Sequence, residues 1–137
     1  MSTLQAEVVV GGVASGPIVV LDEALSFWGG FDSATGAIVD AHHPQVGVNL
    51  AGTVVVVRSG RGSSSASSVI AEAARLGTGP CALVMRDADE IIATGAIVAD
   101  ELYGHVLPVL LIDEAAWPAL AGAQRASISL DGVIKLD

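Results

Sequence analysis

The chain is short of cysteine, of aromatic side chains and of positive charge, and each shortage removes a class of function. One cysteine, Cys81, cannot form an internal disulfide, and it cannot hold an iron–sulfur cluster alone. Six Lys and Arg against 15 Asp and Glu leave a net charge of −9. The clustered cations that neutralise nucleic-acid phosphates are therefore missing, and no nucleic-acid partner is expected. No apolar run reaches the roughly 18–20 residues of a membrane span, so no membrane association is expected either. The start, Met1 to Ala6, lacks a charged region followed by a hydrophobic one, which predicts no secretory signal and a cytoplasmic location.

What is present is aliphatic. Just over half of the 137 residues are apolar but only 4% are aromatic, so Ala, Val, Leu and Gly must build a closely packed core. The length fits one domain spanning 1–137.

Along the chain, the first half reads as short strands and turns. Glu7–Val10 ends at Gly11-Gly12, and Pro17–Leu21 follows as a second strand. A loop, Ser26-Phe27-Trp28-Gly29-Gly30-Phe31-Asp32, then leads to a strand at Ala37–Asp40 and a connection opened by His42-His43-Pro44. This spacing predicts an antiparallel or mixed β layer. The middle changes character. Thr53–Arg58 is a continuous apolar strand of the kind buried on both faces. A helix from about Ser64 to Leu76 carries Ala66, Val69, Ile70, Ala73 and Leu76 on one face, and Gly77 is its stop. Ala82–Met85 is the next strand. Asp87-Ala-Asp-Glu90 has capping-box spacing and opens a second helix to about Tyr103, weakened by Gly95. Val106–Ile112 is a third buried strand, Glu114–Ala121 a short helix, and Ala126–Leu130 with Val133–Leu136 a hairpin around Asp131-Gly132. The β-α-β-α-β run implies parallel strands with right-handed crossovers. The fold class is α/β: mixed β layers plus a parallel β-α-β-α-β unit.

One segment carries chemistry. A strand leading through Ser59-Gly60-Arg61-Gly62-Ser63-Ser64-Ser65 into a helix start has the geometry that holds anions, because the first helical N–H groups are unpaired and the dipole is positive there. Arg61 adds a full charge. Gly60 and Gly62 permit close backbone approach. Ser63 lies at or beside the N-cap, where it either caps the helix or presents its hydroxyl to a substrate, activated by the dipole and the guanidinium for proton exchange. Gly-Lys-Ser/Thr is absent, which excludes a P-loop. By itself the segment supports an anion site at a helix start. Other residues have plain explanations: turn chemistry for His42 and His43, packing for Cys81 and Trp117, and solvated turns for Asp22, Glu23 and Asp32. No metal site is expected in this chain.

Several segments resemble one family. Leu21-Asp-Glu-Ala-Leu-Ser-Phe-Trp-Gly-Gly-Phe-Asp32, Ala34-Thr-Gly36, His43-Pro44, Leu50-Ala-Gly52, Ser59-Gly-Arg-Gly-Ser-Ser-Ser65 and Thr94-Gly-Ala-Ile97 look, in order, like the small subunit or fused swivel domain of the aconitase X dehydratases. The resemblance implies the swivelling β/β/α domain of aconitases. It implies a hydro-lyase that eliminates water from a small hydroxy acid, cis-3-hydroxy-L-proline in the bacterial branch or mevalonate 5-phosphate in the archaeal one. It implies a larger partner subunit bearing the iron or iron–sulfur centre, with no cofactor bound by this chain alone. Ser63 matches the family's proton-transferring serine, so Ser63 is the expected catalytic residue. Arg61, Gly62 and Ser64 are expected to bind substrate, and Ser26, Phe27, Trp28, Gly29 and Gly30 to line the pocket or the interface. The continuous Ser63-Ser64-Ser65 and the Glu101-Leu-Tyr-Gly104 ending look more like the bacterial branch, which favours hydroxyproline. Two other classes stay in view: a non-catalytic anion-binding or assembly module of the same fold, and a serine hydrolase. The hydrolase is disfavoured by the lack of a Gly-x-Ser-x-Gly elbow.

Overall fold

Strands form where β-branched residues run together, and helices where small and apolar residues recur three and four apart. The computed structural model describes residues 2–137. In chain order the elements are β1 (Ser2–Gln5), β2 (Glu7–Val10), β3 (Ala14–Val20), α1 (Phe27–Gly30), β4 (Phe31–Asp32), β5 (Ala37–Ile38), β6 (Val54–Val57), α2 (Ala66–Leu76), β7 (Ala82–Met85), α3 (Glu90–Tyr103), β8 (Val109–Leu111), a 3-10 turn (Glu114–Ala116), α4 (Trp117–Ala121), β9 (Arg125–Ile128) and β10 (Val133–Leu136).

Eight strands are ordered β1-β10-β9-β3-β6-β7-β8-β2, with β4 and β5 as a separate pair. Strand β3 belongs to both halves. Its first part, Ala14–Pro17, pairs antiparallel with β9, and Ile18–Val20 pair parallel with β6. The strands β6, β7 and β8 run parallel, as the alternation with helices requires. Strands β2 and β3 join a mixed sheet, as their spacing predicts, and pair with later strands rather than with each other. Strand β1 pairs with β10 and β2 with β8, at opposite edges of the sheet. Their partners lie near the far end of the chain, beyond the reach of local pattern.

The three parallel strands are buried on both faces, and their side chains alternate between two cores. Val55, Val57, Leu83, Met85 and Val109 pack on Ile70 and Ala73 of α2 and on Ile92 and Ala96 of α3. Val54, Val56, Ala82, Val84 and Leu110 pack on Ala126, Ile128, Ile134 and Leu136 of the β9–β10 hairpin and on Trp117 and Leu120. The result is a helix layer, a parallel sheet and an antiparallel layer: β/β/α. At about 1.5–3 kcal/mol for each fully buried aliphatic side chain, these two interfaces are the main source of stability. Among the described residues no helix is long and apolar enough to cross a membrane.

Several boundaries move for physical reasons. Regular helix begins at Ala66 rather than Ser64, because Ser63 and Ser65 are spent on a turn that precedes it. The cap of α3 is Asp89, not Asp87: Asp89 Oδ1 accepts from the backbone N–H groups of Ile91 at 2.9 Å and Ile92 at 3.1 Å. Asp87 instead pairs with Arg86. Gly95 does not weaken α3. A Cβ there would stand 2.9 Å from the Ser67 carbonyl oxygen and 3.0 Å from Ile70 Cβ, so the missing side chain lets α2 and α3 approach. Strand β8 begins only at Val109, just after Pro108, which has no N–H to give a ladder. The Ser26–Asp32 stretch, expected as a loop, contains one turn, α1, and strand β4. The backbone of Trp28 and Gly29 leaves helical values within that turn.

Candidate functional site

A cleft of about 200 Å³ lies outside the carboxyl ends of β6 and β7, where open parallel sheets hold ligands. Three segments form it: Leu25 and Phe27 after β3, Gly60–Ser63 after β6, and Asp89, Ile91 and Ile92 at the start of α3, with Ala66 at the base of α2. Leu25, Phe27, Ala66 and Ile92 are buried and give the cleft an apolar floor. Its polar groups come from Arg61, Ser63 and Asp89.

Two glycines let the segments meet. A Cβ on Gly60 would lie 1.9 Å from Asp89 Oδ2, and one on Gly62 would lie 2.5 Å from Ser26 Oγ. Gly62 also has φ +110, a backbone conformation that side chains resist. Ser26 Oγ donates to the Trp28 carbonyl at 2.7 Å, which braces the loop that Gly62 touches.

Ser63 is half-buried at the cleft wall. Its Oγ accepts the backbone N–H of Ser65 at 3.1 Å, and its carbonyl accepts that of Ala66 at 3.0 Å. The side chain thus caps a turn and still faces the cleft, with its own proton and a second lone pair uncommitted. The backbone N–H groups of Ser63 and Ser64 have no acceptor among the described residues. Of the two, only Ser63 belongs to the cleft lining. The first N–H groups of α2, expected to be unpaired, are instead taken by the carbonyls of Ser63, Ser64 and Ser65 at 3.0, 3.3 and 3.2 Å. Arg61 is exposed and makes no ion pair among the described residues.

The sequence-derived candidates divide. Phe27, Arg61, Gly62 and Ser63 meet in the cleft. Ser26 lies behind Gly62. Ser64 is exposed and outside the lining, as is Gly29, and Gly30 is buried beside Leu25. Trp28 is 57% exposed, while Phe27 next to it is buried with its ring 5.4 Å from that of Phe31. Asp89 is the polar cleft residue that sequence reasoning missed, along with the apolar Leu25, Ala66, Ile91 and Ile92; its capping role was assigned to Asp87, and its proximity to Gly60 is a tertiary fact.

The minor candidates are accounted for. His43 is buried, its Nδ1 accepting from the Gln45 N–H and its Nε2 placed to donate to the Glu23 carbonyl at 3.1 Å. Trp117 is buried and carries Arg58 on its ring face, 4.1 Å from the centroid. A second hollow of about 250 Å³ sits at the other ends of the parallel strands, beside Val13, Cys81, His105 and Val106. Burial pushes the Cys81 thiol up from its ordinary range, which makes it a poor nucleophile. Among the described residues no three His, Cys, Asp or Glu side chains converge to hold a metal ion.

A β/β/α domain with a cleft at the carboxyl edge of its parallel strands is the class that the fold defines. The family model for the aconitase X swivel domain matches residues 3–136, and the chain belongs to that family. It is 44% identical over 105 residues to cis-3-hydroxy-L-proline dehydratase of Pseudomonas aeruginosa, covering 77% of this chain and 18% of that protein. It is 33% identical to the phosphomevalonate dehydratase small subunit of Thermococcus onnurineus, covering 98% of each. Aconitase X of Thermococcus kodakaraensis, solved in its holo form, superposes with a TM-score of 0.85 at 28% identity, covering 100% of this chain and 99% of that one. The chain therefore spans less than a fifth of the bacterial dehydratase and nearly all of the archaeal small subunit.

Proposed function

We propose that this chain is one swivel domain acting as the small subunit of a dehydratase, and that it supplies half of an active site whose other half lies on a larger partner. The observation that carries the proposal is the cleft itself. The Ser63 hydroxyl, the Arg61 guanidinium and a Ser63 N–H with no acceptor among the described residues belong to an opening floored by buried apolar residues. That set can hold an anionic substrate and exchange one proton with it.

Elimination of water removes a proton from one carbon and hydroxide from its neighbour. In our reading Ser63, as its oxyanion, takes the proton and releases it to solvent between turnovers. Arg61 stabilises that oxyanion, and with the Ser63 N–H it holds the substrate's carboxylate. No three metal-ligating side chains converge among the described residues, and the reading assigns the iron or iron–sulfur centre to the partner, where it would supply a Lewis acid for the departing hydroxide. The partner would also cover the cleft and dry it, and the exposed Trp28 and Gly29 would form part of the contact. A cytoplasmic setting agrees with the single free thiol.

Of the two substrate classes we favour cis-3-hydroxy-L-proline, supported by the identity to the bacterial dehydratase. Mevalonate 5-phosphate is supported by end-to-end coverage of the archaeal small subunit. The test is reconstitution with a large aconitase X subunit and a dehydration assay on both compounds. We expect turnover of the hydroxy-imino acid by the pair and by neither subunit alone. Turnover of neither compound would leave a non-catalytic assembly module as the better account.

A further inference from the structure

The cleft holds two charged side chains of opposite sign, Arg61 and Asp89, and only the first serves an anion. Asp89 Oδ1 is committed to the backbone of α3 through Ile91 and Ile92. No donor reaches its Oδ2 among the described residues, and that oxygen lies against Gly60, where the missing Cβ leaves room for it. Leu25, Phe27 and Ile92 line the same space and are buried. A carboxylate oxygen with no protein donor, next to apolar walls, is a strong acceptor for a cationic N–H.

We propose that Asp89 is a specificity-determining residue, which binds the protonated ring nitrogen of an imino acid while Arg61 and the Ser63 N–H, in the same cleft, bind its carboxylate. This rests on the dehydratase reading and narrows it to zwitterionic substrates. A substrate with two anionic ends gains nothing from Asp89 and is repelled by it, so the carboxylate selects against phosphorylated hydroxy acids.

The test compares two probes of the same ring size, L-proline and cyclopentanecarboxylate, which differ in the charged nitrogen. Their binding to the reconstituted complex is measured by calorimetry, alongside turnover of both candidate substrates. The Asp89→Asn variant keeps an oxygen to cap α3 and removes only the charge. We expect the parent to prefer L-proline by about tenfold or more, and Asp89→Asn to reduce that preference to within about twofold. Loss of turnover with the preference intact in the parent would overturn the dehydratase reading alone. A parent without the preference, or a variant that retains it, overturns the assignment of Asp89, and the first of these needs no variant to fold.

Discussion

Ser63 Oγ lies 3.1 Å from the backbone nitrogen of Ser65 and accepts its hydrogen bond while facing the cleft. Capping and proton transfer are therefore compatible at this position and separable by measurement. Ser63→Ala should lower stability by about 1 kcal/mol, the usual worth of a lost cap. It should lower turnover of the reconstituted pair by about 10²–10⁴-fold with the complex still formed. Unfolding midpoints and steady-state kinetics read the two effects, and unimpaired turnover would reduce Ser63 to a cap.

Gly60 is required by Asp89 rather than by its own dihedral angles. Gly60→Ala should destabilise by about 1–3 kcal/mol, because the new Cβ would sit 1.9 Å from the Asp89 carboxylate. Combined with Asp89→Ala the loss should be clearly less than the sum of the two single losses, since one partner of the clash is gone. Additive denaturation free energies would show that the two residues do not press on each other.

Gly95 should behave against its helix propensity. Gly95→Ala gains up to about 1 kcal/mol in an unpacked helix. Here it should be net destabilising, because the methyl group would meet the Ser67 carbonyl and Ile70. A raised melting temperature would contradict the close approach of α2 and α3.

Acid stability should depend in part on Glu114. Hydrogen bonds from Arg58, then from Arg86, hold its carboxyl below the ordinary 4.5. A depressed folded-state value means the contribution is present above 4.5 and disappears as pH falls through the folded value. Because the groups are exposed, the effect should be small and weakened by salt. Urea midpoints of the parent and Glu114→Gln should differ at neutral pH and converge in acid; a constant gap would refute the linkage.

Trp28 should matter to the complex and not to the fold. It is 57% exposed, so Trp28→Ala should change the stability of the isolated chain by no more than about 0.5 kcal/mol. If it is an anchor for the large subunit, the same change should weaken the complex by tenfold or more, as buried interface tryptophans do. Titration of the labelled chain with the large subunit measures this directly.

The amino-acid sequence determined much of this protein by local physics alone. The valines of β6, the 3.6-residue periodicity of α2 and the turn at Asp131-Gly132 fix elements whose signals lie within a few residues of one another. Gly60–Ser63 was legible as a cleft-lining segment for the same reason, since a strand, two glycines and a helix start are contiguous. Tertiary structure alone decided the rest. Strand β1 finds β10 at the other end of the chain. The carboxylate of Asp89 enters the cleft because the parallel β6 and β7 bring two loops together. Phe27 turns inward and Trp28 outward through a non-helical backbone within a single turn. Sequence periodicity reports which face of an element is apolar; it carries no information about which distant element covers that face, and the cleft is made of such distant pairs.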